Sequence, residues 1–193
     1  MIPLPISFFR RPAELVARDL LGATIRSGRG AVATSGVIVE TEAYLGHDDP
    51  ASHASGGRRY PGNASLYAPS GTWYVYRSYG MHWCANLVCG GPAGGAAVLL
   101  RAILPVGGII RMRRRGGVLD RNLANGPGKL CQALGVTRAL DGQLMRESPV
   151  WVGKTSKRPA GGIRVTPRIG ITRAADWPLR FVLELPGVST RRP

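Results

Sequence analysis

Acid is scarce in this chain of 193 residues: 11 Asp and Glu stand against 26 Lys and Arg, a formal net charge of +15 at pH 7. Such a balance excludes a surface built for basic partners and points to polyanions, with nucleic acid first and a membrane surface second. Lysine is nearly absent too, found only at Lys129, Lys154 and Lys157, so the positive charge is almost all arginine. Compositional bias explains arginine over lysine; it does not explain so few acids. The three cysteines, Cys84, Cys89 and Cys131, exclude a disulfide framework and fit a reduced, cytoplasmic setting, nucleoid-associated in a bacterium. His82, Cys84 and Cys89 have poor zinc spacing, and ordinary buried thiols are expected. No long apolar run is present: residues 96–110 are interrupted by Arg101 and Pro105, which excludes a membrane span there. The start, "MIPLPISFFRR", lacks the basic region and long apolar core of a secretory signal.

What is there reads as a globular domain, 44% hydrophobic and 19% charged. Its length suggests one domain over 1–193. "RPAELVARDLLG" reads as a helix, with Pro12 in its first turn, a stripe of Leu15, Val16, Leu20 and Leu21, and Gly22 at its end. Residues 35–45 read as a strand. The polar stretch that follows, "GHDDPASHASGGRRYPGNAS", exceeds the usual connection of roughly 4–6 residues, so a functional loop or a lid is expected. "GTWYVYRSYGMHWCANLV" reads as a hairpin around Gly80, "AAVLLRAILP" as a buried strand, "GGIIRMRRRGG" as a short basic helix and "NGPGKLCQALG" as another helix. After a polar, basic stretch, "IRVTPRIGI" and "PLRFVLEL" read as late strands. Strands before, between and after the helices argue for a mixed α+β domain rather than a doubly wound sheet.

Within residues 35–45, two-residue alternation puts Ile38, Glu40, Glu42 and Tyr44 on one face and Val37, Val39, Thr41, Ala43 and Leu45 on the other. The second set is the natural core face; the first must be solvated, paired or functional. Arg101 sits in an apolar strand, where an unpaired charge is costly, so it should meet a carboxylate, either Glu40 or Glu42. Trp73, Tyr74, Tyr76, Tyr79 and Trp83 crowd the hairpin, and most belong in a core. Tyr79 and Met81, at the tip, do not, and suggest a wedge inserted into a base stack. The alternative is a tip folded back onto its own sheet. His53 lies in the long loop beside Arg58 and Arg59, which suit phosphate or plain solvation. "NGPGK" puts backbone N–H groups and Lys129 at a helix start, a generic anion site but not a Walker motif.

The segments "VIVETEAYLG", "ASHASGGR", "GTWYVYRSYGMHWCANLV", "AVLLRAILP", "NGPGKLCQALG" and "PRIGI…DWPLRFVL", in this order, resemble the alkylpurine DNA glycosylases of the 3-methyladenine type, over about residues 12–188. The resemblance implies a single mixed domain with a curved, mainly antiparallel sheet, flanking helices and a protruding DNA-inserting hairpin. It implies a monofunctional enzyme, without lyase lysine, metal or cofactor. Acting as a monomer on double-stranded DNA, such an enzyme flips alkylated or deaminated purines out and hydrolyses the N-glycosidic bond. It further implies that Glu42 is the general base and that Arg101 and the backbone carbonyl of Ile169 hold the water. Tyr44, His53 and Tyr76 form the base pocket, Asn86 crowds a guanine amino group, and Tyr79 and Met81 enter the duplex. Arg58 and Lys129 are the candidate phosphate contacts. Gly62 departs from the family, whose members often carry Arg there, as do Arg77 and Ser78, which replace apolar residues of some relatives. A competing reading is a non-catalytic nucleic-acid-binding module of similar fold, which has no use for Glu42 opposite Arg101.

Overall fold

Alternation of β-branched and acidic residues makes "TSGVIVETEAY" a strand, β2 (Thr34–Tyr44), and the rest of the sheet is built outward from it. The computed structural model describes residues 1–91, 94–116, 122–154 and 161–185. Among these, the other strands are β1 (Thr24–Ser27), β3 (Trp73–Ser78), β4 (His82–Cys89), β5 (Ala96–Gly107), β6 (Val150–Gly153), β7 (Gly162–Thr166) and β8 (Arg180–Glu184). The path runs β3-β4-β5-β2-β1-β6, with β8 on β2 beyond β1 and β7 on β8. All pairings are antiparallel. The helices are α1 (Ile6–Phe9), α2 (Ala13–Leu20), α3 (Ile109–Gly116) and α4 (Pro127–Leu134). The architecture is the mixed α+β arrangement that the sequence implies, built on an open antiparallel sheet.

One face of the sheet is the main core. Val16, Ala17 and Leu20 of α2, Leu130, Ala133 and Leu134 of α4, and Trp73, Leu87, Val98, Leu100 and Ala43 from the strands all lie in it. Thr41 faces the same way, its hydroxyl donating to the Ala17 carbonyl at 2.9 Å. Pro12 precedes α2 as its cap rather than lying in its first turn, and Gly22 follows the helix at φ +82°. Gly135 closes α4 in the left-handed region, where its N–H reaches the last-turn carbonyls.

The opposite face is smaller and more polar, with Tyr74, Val88, Ala97, Ala54 and Leu66 forming a second buried cluster. The division is clean on β3 and β4, where odd and even residues part as alternation requires. On β2 it is interrupted. The register against β5 shifts between Ile38 and Glu40 and again between Glu40 and Thr41, leaving Val39 and Arg101 as extra residues on their strands. Ile38 therefore joins Val39 in the core instead of sharing a face with Glu40, Glu42 and Tyr44. Val37 and Leu45, expected in the core, are half-buried at its margin.

Other expectations need correction. "PRIGI" is not strand: β7 ends at Thr166, before Pro167, which cannot continue the ladder. The polar stretch after α4 holds β6, whose Val150 and Val152 are buried against β1. The long loop after β2 is tied down rather than a free lid. The Asn63 amide donates to the carbonyls of His53 and Arg58, both at 2.9 Å, and its oxygen accepts from the Tyr60 N–H. Gly117 and residues 186–188, parts of the sequence reading, lie outside the described residues. No helix among the described residues is long and apolar enough to cross a membrane.

Candidate active site

The polar face of the sheet floors a cavity of about 480 Å³, walled by the long loop, the hairpin and the segment after β7. β2 supplies Tyr44, β3 Tyr74 and Tyr76, β4 Cys84 and Asn86, β5 Arg101, and the loop His53. Each strand residue points inward because it lies at an even position of β2, β3 or β4, or at an odd position of β5.

Glu42 lies behind the cavity lining, at 0% exposure. Three donors hold its carboxylate. Tyr44 Oη–H donates to Oε2 at 3.0 Å, the Ile169 N–H donates to Oε1 at 2.8 Å, and Arg101 Nη1 lies 3.1 Å from Oε2. A carboxylate has about four acceptor positions, so these contacts take most of them. Burial pushes the Glu42 pKa up, and Arg101, the Ile169 N–H and the Tyr44 hydroxyl oppose the shift without cancelling it. The Tyr44 phenol is pushed up by burial and by the Glu42 charge, so it keeps its proton and donates.

Arg101 meets both candidate acids. Its Nε donates to Glu40 Oε1 at 3.1 Å while Nη1 faces Glu42. Glu40 also accepts from Arg180 Nε at 2.6 Å. Two buried carboxylates thus face two guanidiniums, a balance that low-dielectric surroundings demand. The structure separates the acids: Glu40 is committed to two arginines, whereas Glu42 sits behind the cavity-lining groups Tyr44, Arg101 and Ile169.

The aromatic wall is interlocked. Tyr74 and Tyr76 stack at 5.4 Å between centroids, and His53 packs edge-on against Tyr76 at 4.5 Å. His53 Nδ1 is 2.6 Å from Tyr74 Oη. Burial lowers the His53 pKa, so the ring is neutral at pH 7, and burial raises that of Tyr74, so the phenol keeps its proton. The two groups share one hydrogen bond, whose donor is set by the imidazole tautomer. Asn86 lines the cavity, and its amide also donates to the Tyr74 carbonyl at 3.1 Å, so it ties β4 to β3 as well.

The sequence matches the model of the family described as Methylpurine-DNA glycosylase (MPG) over residues 7–185. A protein of Agrobacterium fabrum (strain C58) named "Putative 3-methyladenine DNA glycosylase" is 50% identical over 182 residues, 94% of this chain and 89% of that protein. Proteins of the same name from Rhodopseudomonas palustris (strain BisB18) and Methanoculleus marisnigri are 49% and 46% identical, covering 92% and 94% of this chain and 85% and 95% of theirs. The chain belongs to the methylpurine-DNA glycosylase family.

In this methylpurine-DNA glycosylase family member the hairpin tip stands clear of the body. Tyr79 is 84% exposed and Met81 66%. The turn is closed by the Met81 N–H donating to the Ser78 carbonyl at 3.0 Å. Both central residues have positive φ, +49° at Tyr79 and +67° at Gly80. Glycine tolerates this; a bulky aromatic does so at a cost. Tyr79, Ser78 and Arg77 border the cavity on one side and Pro127, at the start of α4, on another, so tip and helix start share its mouth. Lys129, in the first turn of α4, reaches Asn125 Oδ1 at 3.3 Å. The Arg58 side chain is exposed, and Arg59 stacks over the Tyr67 ring at 3.8 Å. Cys84 and Cys89 occupy opposite faces of β4 and do not form a cluster with His82, which is exposed.

Every pocket residue singled out in the sequence comes together here. At Ile169 the contact seen is made by the N–H, on Glu42, rather than by the carbonyl. Sequence reasoning missed Tyr74, Arg180, Asp49 and Arg168. Arg180 carried the signal used for Arg101, a lone arginine in the apolar run "PLRFVLEL". Asp49 and Arg168 pair with each other; Asp49 stands in a polar loop and carried no signal, and Arg168 lies in "IRVTPRIGI", which reads as strand.

Proposed function

We propose that this protein releases alkylated and deaminated purines from double-stranded DNA by hydrolysing the N-glycosidic bond, leaving an abasic site, without lyase activity. The observation that carries this reading is the buried Glu42 carboxylate, held by Tyr44, Arg101 and the Ile169 N–H, three residues that line a tyrosine- and histidine-walled cavity.

A base within a duplex is out of reach, so it must be flipped, at a cost of a few kcal/mol that is least for a damaged, poorly stacked base. Tyr79, exposed and aromatic, is the side chain suited to fill the gap, with Met81 beside it. Arg58 and Lys129 serve the phosphates. Tyr44, Tyr76 and His53 receive the base. Their rings are electron-rich and His53 is neutral, which favours a cationic methylated purine by cation–π attraction. In the tautomer that accepts from Tyr74 at Nδ1, the Nε2 proton of His53 offers one hydrogen bond to the base.

A cationic purine leaves readily, so the main demand is an activated water. Glu42 takes its proton, while Arg101 and the Ile169 carbonyl orient it. The raised pKa of Glu42 makes it a stronger base than an exposed glutamate. Water reaches it at the acceptor position its three donors leave. Base release from duplexes containing 3-methyladenine, 7-methylguanine, ethenoadenine or hypoxanthine tests the reading, with strand cleavage expected only after alkali. No release from any of the four would refute it.

A further inference from the structure

Arg168 is buried as fully as Glu42's carboxylate, yet it touches neither that carboxylate nor the cavity. Its guanidinium forks onto Asp49: Nη1 donates to Oδ2 and Nη2 to Oδ1, the latter at 2.9 Å. Both side chains are at 0% exposure. Nη1 also donates to the Ala43 carbonyl at 3.1 Å, and the guanidinium carbon lies 4.7 Å from the centre of the Tyr44 ring. Asp49 in turn accepts from the backbone N–H groups of Leu45 and Ala51, at 3.1 and 3.0 Å. Burial opposes the charged form of Asp49, but Arg168 and these N–H groups prevail and hold its carboxyl below the usual range.

These contacts reach the chain around Glu42 on both sides. Tyr44, which donates to Oε2, lies against the Arg168 guanidinium. Ile169, whose N–H donates to Oε1, is the residue after Arg168. Ala51, Ser52 and His53, which line the cavity, follow the turn that Asp49 closes with its own N–H on Gly46 and its carbonyl on Ser52. A pair that served only stability has no need to sit between two of the three donors to one carboxylate.

We infer that Asp49 and Arg168 form a positioning pair that sets the Tyr44 hydroxyl and the Ile169 N–H on Glu42, and so tunes its basicity and aim. The inference rests on Glu42 being the base proposed above. Neither residue touches the substrate. Arg→Lys keeps the charge but loses the fork, and Asp→Asn keeps the shape but loses the charge, so each loosens the pair by a different route. With the Ile169 N–H displaced, Glu42 loses a hydrogen bond to its charged form, and its pKa rises further.

The test is single-turnover release of 7-methylguanine across pH by the full chain, for wild type, Arg168→Lys, Asp49→Asn and Glu42→Gln, at a temperature where thermal melts show each variant folded. Binding to undamaged duplex is measured alongside. The expected result for either pair variant is unchanged duplex binding, a maximal rate lower by about tenfold to a hundredfold, and an acid limb displaced to higher pH. A variant that folds with wild-type rate and limb overturns the inference. So does a lower rate with an unmoved limb, which marks loosened structure alone. Should one variant fail to fold, the other carries the test. Wild-type release that survives Glu42→Gln would instead overturn the reading of Glu42 on which the inference rests.

Discussion

Replacing Tyr79 separates a folding role from a duplex-filling role. With 84% of its surface in solvent, Tyr79 gives up little apolar burial when cut to alanine. Its φ of +49° already costs an L-residue about 1–2 kcal/mol, and alanine inherits that cost. Glycine escapes it but adds roughly 0.5–1 kcal/mol of chain entropy. Tyr79→Ala is therefore expected to leave stability within about 0.5 kcal/mol of wild type, the range of ordinary surface substitutions, and Tyr79→Gly to match wild type or exceed it by up to about 1.5 kcal/mol. Flipping should suffer far more. Base–aromatic stacking is worth about 1–3 kcal/mol, so losing it should lower the flipped population by about fivefold to 150-fold. The assay follows ethenoadenine fluorescence in a duplex on rapid mixing, beside Kd values for lesion-bearing and undamaged DNA and thermal melts. A stability loss above about 2 kcal/mol with flipping unchanged would show a structural tyrosine and refute the reasoning.

Binding to undamaged duplex should weaken steeply with salt, with a log–log slope of about 0.9 per phosphate contact, given a net charge of +15; a flat response would remove the electrostatic case for DNA. Release of a cationic base should fall as pH drops, because the working form of Glu42 is the carboxylate. Burial raises its folded pKa, so the loss should begin above the 4.5 of an ordinary glutamate, and full rate at that pH would contradict the assignment. Asn86→Ser should raise release of guanine-type relative to hypoxanthine-type bases, by relieving a clash with the 2-amino group. It should also lower stability by about 1 kcal/mol through the lost bond to the Tyr74 carbonyl, and an unchanged ratio of the two rates would remove the selectivity role.

Much of this site was legible because strands alternate. Glu42 and Tyr44 on one face, Thr41 and Ala43 on the other, follow from spacing alone, whereas Tyr76 and Asn86 rest on the family resemblance, and Tyr74, on the same face as Tyr76, reads as core. The need of Arg101 for a carboxylate followed from its apolar neighbours, although it meets two. Where the period slips, reading fails. The shifts at Val39 and Arg101 arise from pairing between β2 and β5, which neither strand reveals by itself, so Ile38 was placed on the wrong face. Tertiary ion pairs fail for a related reason: Asp49, in a polar loop, and Arg168, in a run that reads as strand, lie 119 residues apart, and neither reveals its partner until the fold buries both. β6 is missed because four residues, three of them buried, are too few to show a pattern in polar surroundings.

The central claim is that Glu42, not its neighbour Glu40, activates the water. The most direct measurement is single-turnover release of 7-methylguanine by Glu42→Gln and Glu40→Gln, with duplex binding and thermal melts recorded for both. Glu42→Gln keeps the side chain's size and removes the base, so release should be lost while duplex binding persists. Glu40→Gln removes the carboxylate shared by Arg101 and Arg180, so it should lower stability and leave release by the folded fraction largely intact. Near-normal release by Glu42→Gln, with release lost in folded Glu40→Gln, would contradict the account.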